Sequence, residues 1–189
     1  MAISLSKGQK VSLEKESPGI EAAFVGLGWD VKATDTGVDF DLDASVFLVG
    51  ENEKIVSEKH LVFYNNKKSP DGSVEYMGDN KTGAGEGDDE VIIIDLRKIA
   101  PEVKKLVFTV TIYEAEKRKQ NFGQVSNAYV RLVNVKTKDE VVRYDLDEDY
   151  SIETAMIMTE IYLKNGEWRM NAVGAGYGGG LAALLDRYS

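Results

Sequence analysis

Hydrophobic and polar residues alternate with a period of two along several segments, which is the pattern of strands buried on one face. In the clearest segment, Leu106, Phe108 and Val110 share one side while Thr109 and Thr111 share the other. Runs of β-branched and aromatic residues predict further strands at residues 46–49, 61–64, 91–94, 128–135, 141–146, 155–163 and 167–173. The chain is therefore predicted to consist mainly of short β-strands.

Turn-forming residues separate these strands. Pro70-Asp71-Gly72 and residues 136–139 have the composition of turns. Asn165-Gly166 fits a type I′ turn, which has positive φ at both central positions. This dipeptide predicts a hairpin between residues 155–164 and 167–173.

Helical spacing is confined to two short segments. Apolar residues between positions 96 and 106 follow a 3-4-3 spacing, but Pro101 limits a helix there to one or two turns. Leu181, Leu184, Leu185 and Tyr188 predict a short helix that lies on a sheet. With no linker or repeat visible, we predict an all-β fold for residues 1–189: a single two-sheet antiparallel β-sandwich with two short helices.

Composition narrows the chemistry that the chain can perform. The 189 residues include no Cys and one His, which excludes disulfides, thiolate nucleophiles, zinc fingers and most Ser/His/Asp catalysis. A net charge of -9 argues against nucleic acid as a partner. The sequence has neither a long apolar segment nor a signal-peptide pattern, so we expect a cytoplasmic protein without direct membrane insertion. Metal binding through oxygen ligands is the chemistry that this composition still permits.

The negative charge is concentrated in two segments. Residues 30–51 carry a charge of -5 and residues 71–90 carry -6, whereas the rest of the chain carries +2. Carboxylates that fold close together raise one another's pKa or require a cation between them. The charge distribution therefore indicates a cation site.

In the first acidic segment, carboxylates occupy alternate positions. On a strand, Asp39, Asp41 and Asp43 would share one face while Phe40 and Leu42 share the other. Such a row could contribute ligands to a metal ion. It could equally be the solvated outer face of an edge strand, where charge prevents aggregation.

The second acidic segment, residues 78–90, combines glycines with oxygen-bearing side chains. Its oxygen-bearing side chains, the candidate ligands, are Asp79, Asn80, Glu86, Asp88, Asp89 and Glu90. Oxygen donors on a glycine-rich loop suit Ca²⁺, which takes six to eight oxygens in flexible geometry. The spacing is not that of an EF-hand, and an exposed acidic loop without metal is the alternative. If both segments meet, they supply ligands for one or two Ca²⁺ ions.

Several motifs together resemble the TerD family of tellurium-resistance and general stress proteins. The motifs are Gly28-Trp29-Asp30, residues 39–45, the glycine-acid loop at residues 78–90, residues 121–125, Gly166-Glu167-Trp168 and residues 178–181. They extend over essentially the whole chain, and the glycine-acid loop is highly specific.

The resemblance implies a β-sandwich that binds calcium, with two ions expected. Carried over position by position, the implied ligands are Asp39, Asp41, Asp43, Asp79, Asn80, Asp88, Asp89 and Glu90, together with the carbonyl oxygen of Gly83. Asp30 is a further candidate. The β-sandwich is also predicted from the pattern of residues, whereas this full ligand set is implied by the resemblance.

The resemblance also implies a cytoplasmic role in bacterial stress response and tellurite resistance. That role would operate through Ca²⁺-dependent complexes with other tellurium-resistance cluster proteins, some of them membrane-associated. On this interpretation the protein is a binding module and not an enzyme. The alternative is a divalent-metal-dependent phosphohydrolase, in which clustered carboxylates hold two ions that activate water.

Overall fold

The computed structural model describes residues 2–31, 40–79, 87–148 and 150–189, which form two six-stranded sheets. The first sheet contains, in spatial order, β1 (Ile3–Leu5), β10 (Glu140–Asp145), β9 (Val125–Asn134), β3 (Ala22–Val31), β7 (Glu90–Asp95) and β6 (Val74–Asp79). The second contains β2 (Lys10–Ser12), β12 (Glu167–Tyr177), β11 (Ala155–Lys164), β8 (Lys105–Ile112), β4 (Leu42–Val49) and β5 (Leu61–Val62). The helices are α1 (Leu13–Glu16), α2 (Ala115–Arg118) and α3 (Gly180–Tyr188), with 3₁₀ turns at Glu58–His60 and Phe122–Gln124.

The predicted β-sandwich is confirmed. Neighbouring strands are antiparallel throughout both sheets, except that β1 runs parallel to β10. The alternation on β8 agrees with the prediction, because Leu106 and Phe108 are fully buried in the core between the sheets. Each such side chain contributes about 1.5–3 kcal/mol by leaving water.

The hairpin and the C-terminal helix are also confirmed. Asn165 and Gly166 have φ values of 54° and 75°, as a type I′ turn requires, and they join β11 to β12. Helix α3 buries Leu184 and Tyr188 against the outer face of the second sheet, where the ring of Tyr188 lies 5.0 Å from that of Phe47. The helix covers one part of this face and leaves the part near its amino end open.

The predicted helix within residues 96–106 is wrong. Residues 96–104 form turns, and Leu106 belongs to β8. The backbone amide of Ala100 donates to Asp71 Oδ2 at 2.9 Å, and that of Lys104 donates to the Val49 carbonyl at 2.8 Å. These amides bond to other parts of the chain, so a helical hydrogen-bond ladder cannot form around Pro101.

The sequence pattern missed four strands: β1, β2, β3 and β6. Strand β3 lies inside the first sheet, between β9 and β7, yet Gly26 and Gly28 interrupt its apolar pattern. Glycine weakens the local signal of a strand, and it also marks places where another group approaches the backbone closely. Another side chain approaches the backbone closely at both glycines: Asp88 at Gly26 and Tyr129 at Gly28.

Asp71 connects two turns through hydrogen bonds. Its Oδ1 accepts hydrogen bonds from the Ser69 hydroxyl and from the amide and hydroxyl of Ser73, at 2.6–2.9 Å, while its Oδ2 accepts from Ala100. Burial alone would raise the pKa of Asp71, but the hydrogen bonds from Ser69, Ala100 and Ser73 outweigh it and lower the pKa below 3.8.

We expect Asp71→Asn to lower the free energy of unfolding by about 2 kcal/mol at neutral pH, because the new amide group faces a backbone donor. The loss should shrink as the pH falls through 3.8 towards the lower folded pKa, since the contribution of the carboxylate is full only above that range. Urea unfolding at pH 7 and pH 3 measures both effects. Asp139→Asn, at an exposed carboxylate, is the control and should change neither value.

Candidate functional site

Strands β3 and β6 end at the same end of the first sheet, and each is followed in sequence by part of an acidic segment. Residues 32–39 follow β3 and residues 80–86 follow β6, and β7 lies between these two strands. Register pairs place Glu90 opposite Leu27 on one side and opposite Asp79 on the other. We call this end, marked by Asp30, Asp88 and Asp89, the acidic end. The fold therefore joins two segments that are distant in sequence.

Asp88 is held by a buried ion pair. Its side chain is 0% exposed, and Arg131 donates from Nε and Nη2 to both carboxylate oxygens at 2.9–3.1 Å. Arg131 also donates to Glu140 at 3.1 Å. Bidentate charge-assisted pairs of this kind fix the carboxylate geometry tightly. A metal ion at Asp88 would have to displace the guanidinium, so Asp88 is better suited to position the chain than to ligate a cation.

Tyr129 extends this network to the end of the second acidic segment. Its hydroxyl lies 2.6 Å from the Gly87 carbonyl oxygen and 2.9 Å from Asp88 Oδ1, so one hydrogen is shared between two acceptors. Burial and the hydrogen bond to Asp88 raise the pKa of Tyr129 far above its usual range. The phenol therefore stays protonated and anchors the backbone at Gly87.

Asp89 has surroundings unlike those of its neighbour. Asp89 is exposed to solvent, and its Oδ2 accepts a hydrogen bond from the Trp29 amide at 2.8 Å. Desolvation raises the pKa of Asp89, the Trp29 hydrogen bond opposes this, and repulsion from Asp30 and Asp88 raises the pKa further. Mutual repulsion of this kind is relieved when a cation binds between the carboxylates.

A polar cavity of about 560 Å³ opens beside Asp30. Asn127 donates to Asp30 Oδ2 at 2.7 Å, and Asp147 and the Gly87 backbone line the same cavity. Arg143 covers one wall, with its guanidinium carbon 4.0 Å from the centre of the Tyr129 ring. The cavity is large enough for hydrated ions or a small ligand.

The other predicted ligands are dispersed. Asp41 is exposed, and its carbonyl accepts from the Tyr113 amide. Glu90 is buried opposite Leu27, and Asp79 ends β6. Asp39, Asn80 and Gly83 lie outside the described residues. Within the described ranges, no group of three or more His, Cys, Asp or Glu side chains is arranged to hold a metal ion.

Asp43 and Asp88 lie on opposite outer faces of the sandwich. Asp43 alternates with the buried Leu42 and Ala44 on β4, so it points away from the core of the second sheet. Asp88 packs against the outer side of Gly26 in the first sheet. Because packed sheets are about 10 Å apart, one ion cannot contact both carboxylates. The assignment of the acidic residues as calcium ligands stays a prediction.

Sequence reasoning did not identify Arg131 as a partner of Asp88. Arg131 and Tyr129 do alternate with buried Val130 and Leu132 on β9, which marks them as residues of the outer face. That alternation could have placed Arg131 on a surface. It could not show which of the chain's many carboxylates the guanidinium contacts, because the partner is 43 residues away.

In the described part of the chain, no helix is both long enough and apolar enough to cross a membrane.

Comparison with known proteins covers the full length of the chain. A family model described as the TerD domain matches residues 1–188. Tellurium resistance protein TerD of Serratia marcescens is 54% identical over 188 residues, covering 100% of this chain and 97% of that protein. General stress protein 16U of Bacillus subtilis is 53% identical, with the same coverage of 100% and 97%. These two relatives are named as a resistance protein and a stress protein.

A solved structure shares the fold. The crystal structure of a homologue of telluride resistance protein from Streptomyces coelicolor superposes with a TM-score of 0.68 and covers 88% of this chain and 96% of that one. Its sequence identity is 21%, so the likeness speaks to the fold alone.

Proposed function

The chain belongs to the TerD family, and from this premise we propose that it is a calcium-binding protein of the bacterial stress response and of tellurium resistance. Its relatives are named for those two roles. We place it in the cytoplasm, where it acts by forming Ca²⁺-dependent complexes with other tellurium-resistance cluster proteins, including membrane-associated ones.

The proximity of Asp30 and Asp89, two carboxylates that are distant in sequence, supports this proposal. Asp30 and Asp89 come from β3 and from the loop before β7, and their carboxylates repel each other. Carboxylate, amide and carbonyl oxygens are the donors that Ca²⁺ takes in flexible geometry. The donor chemistry therefore fits calcium.

Different residues have different tasks in the proposed site. Asp30 and Asp89 supply ligand oxygens, with Asp79, Asp39, Asn80 and the Gly83 carbonyl as the donors that complete the sites for two ions. Asp88 and Tyr129 hold the backbone at Gly87 in place through hydrogen bonds. Bound calcium would neutralise the carboxylates and stabilise a surface at this end, to which a partner protein binds.

A phosphohydrolase is supported less well. In phosphoryl-transfer sites, Arg or Lys side chains commonly contact the phosphate beside the metal ions. Among the described residues beside the acidic end, Arg131 and Arg143 already form ion pairs with Asp88 and Asp145. The geometry therefore favours a binding module.

A calcium-specific thermal shift tests the proposal. At a free Ca²⁺ concentration of about 100 times Kd, we expect a melting temperature about 5–10 °C above that in EGTA, since binding to the folded state adds about 2.7 kcal/mol. Mg²⁺ at the same concentration should give a much smaller rise. A site that responded equally to both ions, or Mg²⁺-dependent phosphoesterase activity, would contradict a calcium-binding module.

Asp89→Asn separates ligand loss from unfolding. The asparagine oxygen can still accept from the Trp29 amide, while one of three neighbouring negative charges disappears. We therefore expect an unchanged or slightly higher melting temperature in EGTA and a calcium-induced rise reduced by at least half. Asp139→Asn should leave the rise intact. If the calcium-induced rise in melting temperature were undiminished in Asp89→Asn, Asp89 would not be a calcium ligand.

A further inference from the structure

Arg143 places a positive charge in the polar cavity beside Asp30. It lies on β10, where it alternates with buried residues of the core and therefore points to the outer face of the first sheet. Three acidic residues line the cavity with it: Asp30, Asp145 and Asp147. Among the described residues that line this cavity, one positive charge thus faces three negative charges.

An ion pair with Asp145 holds the guanidinium in place. Nε of Arg143 donates to both carboxylate oxygens, at 3.0 and 3.2 Å, and Nη2 lies 2.9 Å from Oδ1. The Asp145 side chain is nevertheless 49% exposed. A dissolved cation can therefore reach this carboxylate, and it has to compete with the guanidinium for it.

The ring of Tyr129 is the second contact of the guanidinium. The guanidinium carbon lies 4.0 Å from the ring centre, and Asp145 is the register partner of Tyr129 on the neighbouring strand. The electron-rich face of a tyrosine ring attracts a cation. Ion pair and ring together fix the charge of Arg143 at the wall of the cavity.

A fixed positive charge weakens the attraction of nearby carboxylates for a metal ion. Arg143 stays charged because a guanidinium does not lose its proton in proteins. Asp30, a proposed calcium ligand, lines the same cavity. At physiological ionic strength the Debye length is about 8 Å, so charges that share one cavity still interact. Arg143 therefore opposes the binding of a cation at Asp30.

A supporting role for Arg143 would have the opposite effect. Through its contact with Tyr129, whose hydroxyl anchors Gly87, the guanidinium could instead help to position the calcium site. Loss of Arg143 would then weaken calcium binding, whereas loss of a competing charge strengthens it. The direction of the change in affinity therefore separates the two roles.

On the premise that the acidic end binds calcium, we propose that Arg143 is a tethered counter-cation that competes with this ion. Without calcium, Arg143 neutralises Asp145 and reduces the repulsion among the carboxylates of the cavity. When calcium binds, the same charge opposes it. Arg143 thus raises the free calcium concentration at which the site fills.

Calorimetric titration of the full chain with CaCl₂ tests the proposal. Arg143→Gln should bind calcium about five- to tenfold more tightly, because the repelling charge is gone while the new amide can still donate to Asp145. Its melting temperature in EGTA should fall, so the calcium-induced rise should become larger. Arg143→Lys keeps the charge and should bind calcium within about twofold of the unmodified protein.

Arg97→Gln is the matched control. It removes the same charge from the opposite end of the first sheet, where Arg97 contacts Asp95 and Glu21. Screening over this distance should keep the calcium affinity within about twofold of that of the unmodified protein at about 0.15 M salt. A loss of stability in EGTA alone, as Arg97→Gln can also cause, therefore does not reproduce the effect.

The titrations also separate this proposal from the calcium-binding function. If the unmodified protein binds calcium and Arg143→Gln binds it equally or more weakly, Arg143 does not compete, and the calcium-binding function stands. The proposal is likewise overturned if Arg143→Lys binds as tightly as Arg143→Gln, since charge is then not the cause. If Arg143→Gln alone binds calcium, the competition is supported and calcium binding by the unmodified chain is contradicted. If neither binds, both proposals are contradicted.

Discussion

Asp88→Asn is expected to lower the free energy of unfolding by about 3 kcal/mol, both in EGTA and in excess Ca²⁺. The substitution leaves the guanidinium of Arg131 beside a neutral amide at a site where the Asp88 side chain is 0% exposed. Glu140 still contacts Arg131 at 3.1 Å, so the loss of stability should be smaller than for a buried arginine that has no acidic partner left. Urea unfolding at pH 7 with and without calcium measures it.

A double-mutant cycle assigns the loss to the ion pair. Combining Asp88→Asn with Arg131→Met should recover at least about 1.5 kcal/mol relative to the sum of the single changes, because the two groups contact each other directly. If Asp88→Asn instead left stability in EGTA unchanged and abolished the calcium-induced rise, Asp88 would be a calcium ligand. Asp88→Asn should lower stability in EGTA, whereas Asp89→Asn should reduce the calcium-induced rise in melting temperature. Because the two residues are adjacent in sequence, these different responses can be compared directly.

Gly26→Ala is expected to cost about 2–3 kcal/mol, although the backbone conformation of β3 permits alanine. A Cβ atom at this position would overlap the Asp88 carboxylate and lie 2.6 Å from its Oδ1. The carboxylate cannot move aside cheaply, since Arg131 and Tyr129 hold it. Chemical or thermal unfolding of the single variant measures the loss.

Two further variants show whether Asp88 is the cause. Gly178→Ala should change stability by less than about 0.5 kcal/mol, because its Cβ would meet nothing within 4 Å. In an Asp88→Ala background, Gly26→Ala should cost almost nothing. A full cost in that background would mean that another contact, and not the carboxylate, requires glycine at position 26.

The proposed calcium site uses two kinds of acidic residue. At the acidic end, hydrogen bonds of Asp88 and Tyr129 position the backbone, while Asp30 and Asp89 are exposed to solvent. On the opposite face, Asp43 lies in a cavity with hydroxyls and aromatic rings. Calcium prefers clustered oxygen ligands.

Strands with an uninterrupted local pattern could be predicted from the sequence. In β8 the period of two is regular, and in the β11–β12 hairpin the Asn165-Gly166 turn specifies the connection. Strand β3 could not be predicted in this way, because Gly26 and Gly28 replace outward side chains. The reason for those glycines lies in Asp88 and Tyr129, which approach from elsewhere in the chain.

The sequence by itself determined the β-sandwich, the C-terminal helix, the family and the segments in which negative charge is concentrated. These features depend on neighbouring residues, whose spacing decides which side chains face water. Only the tertiary structure decided that Asp88 pairs with Arg131 and that Asp43 lies on the opposite face. Strand order brings residues together that are distant in sequence, and local periodicity shows which face a side chain occupies without showing which partner it meets there.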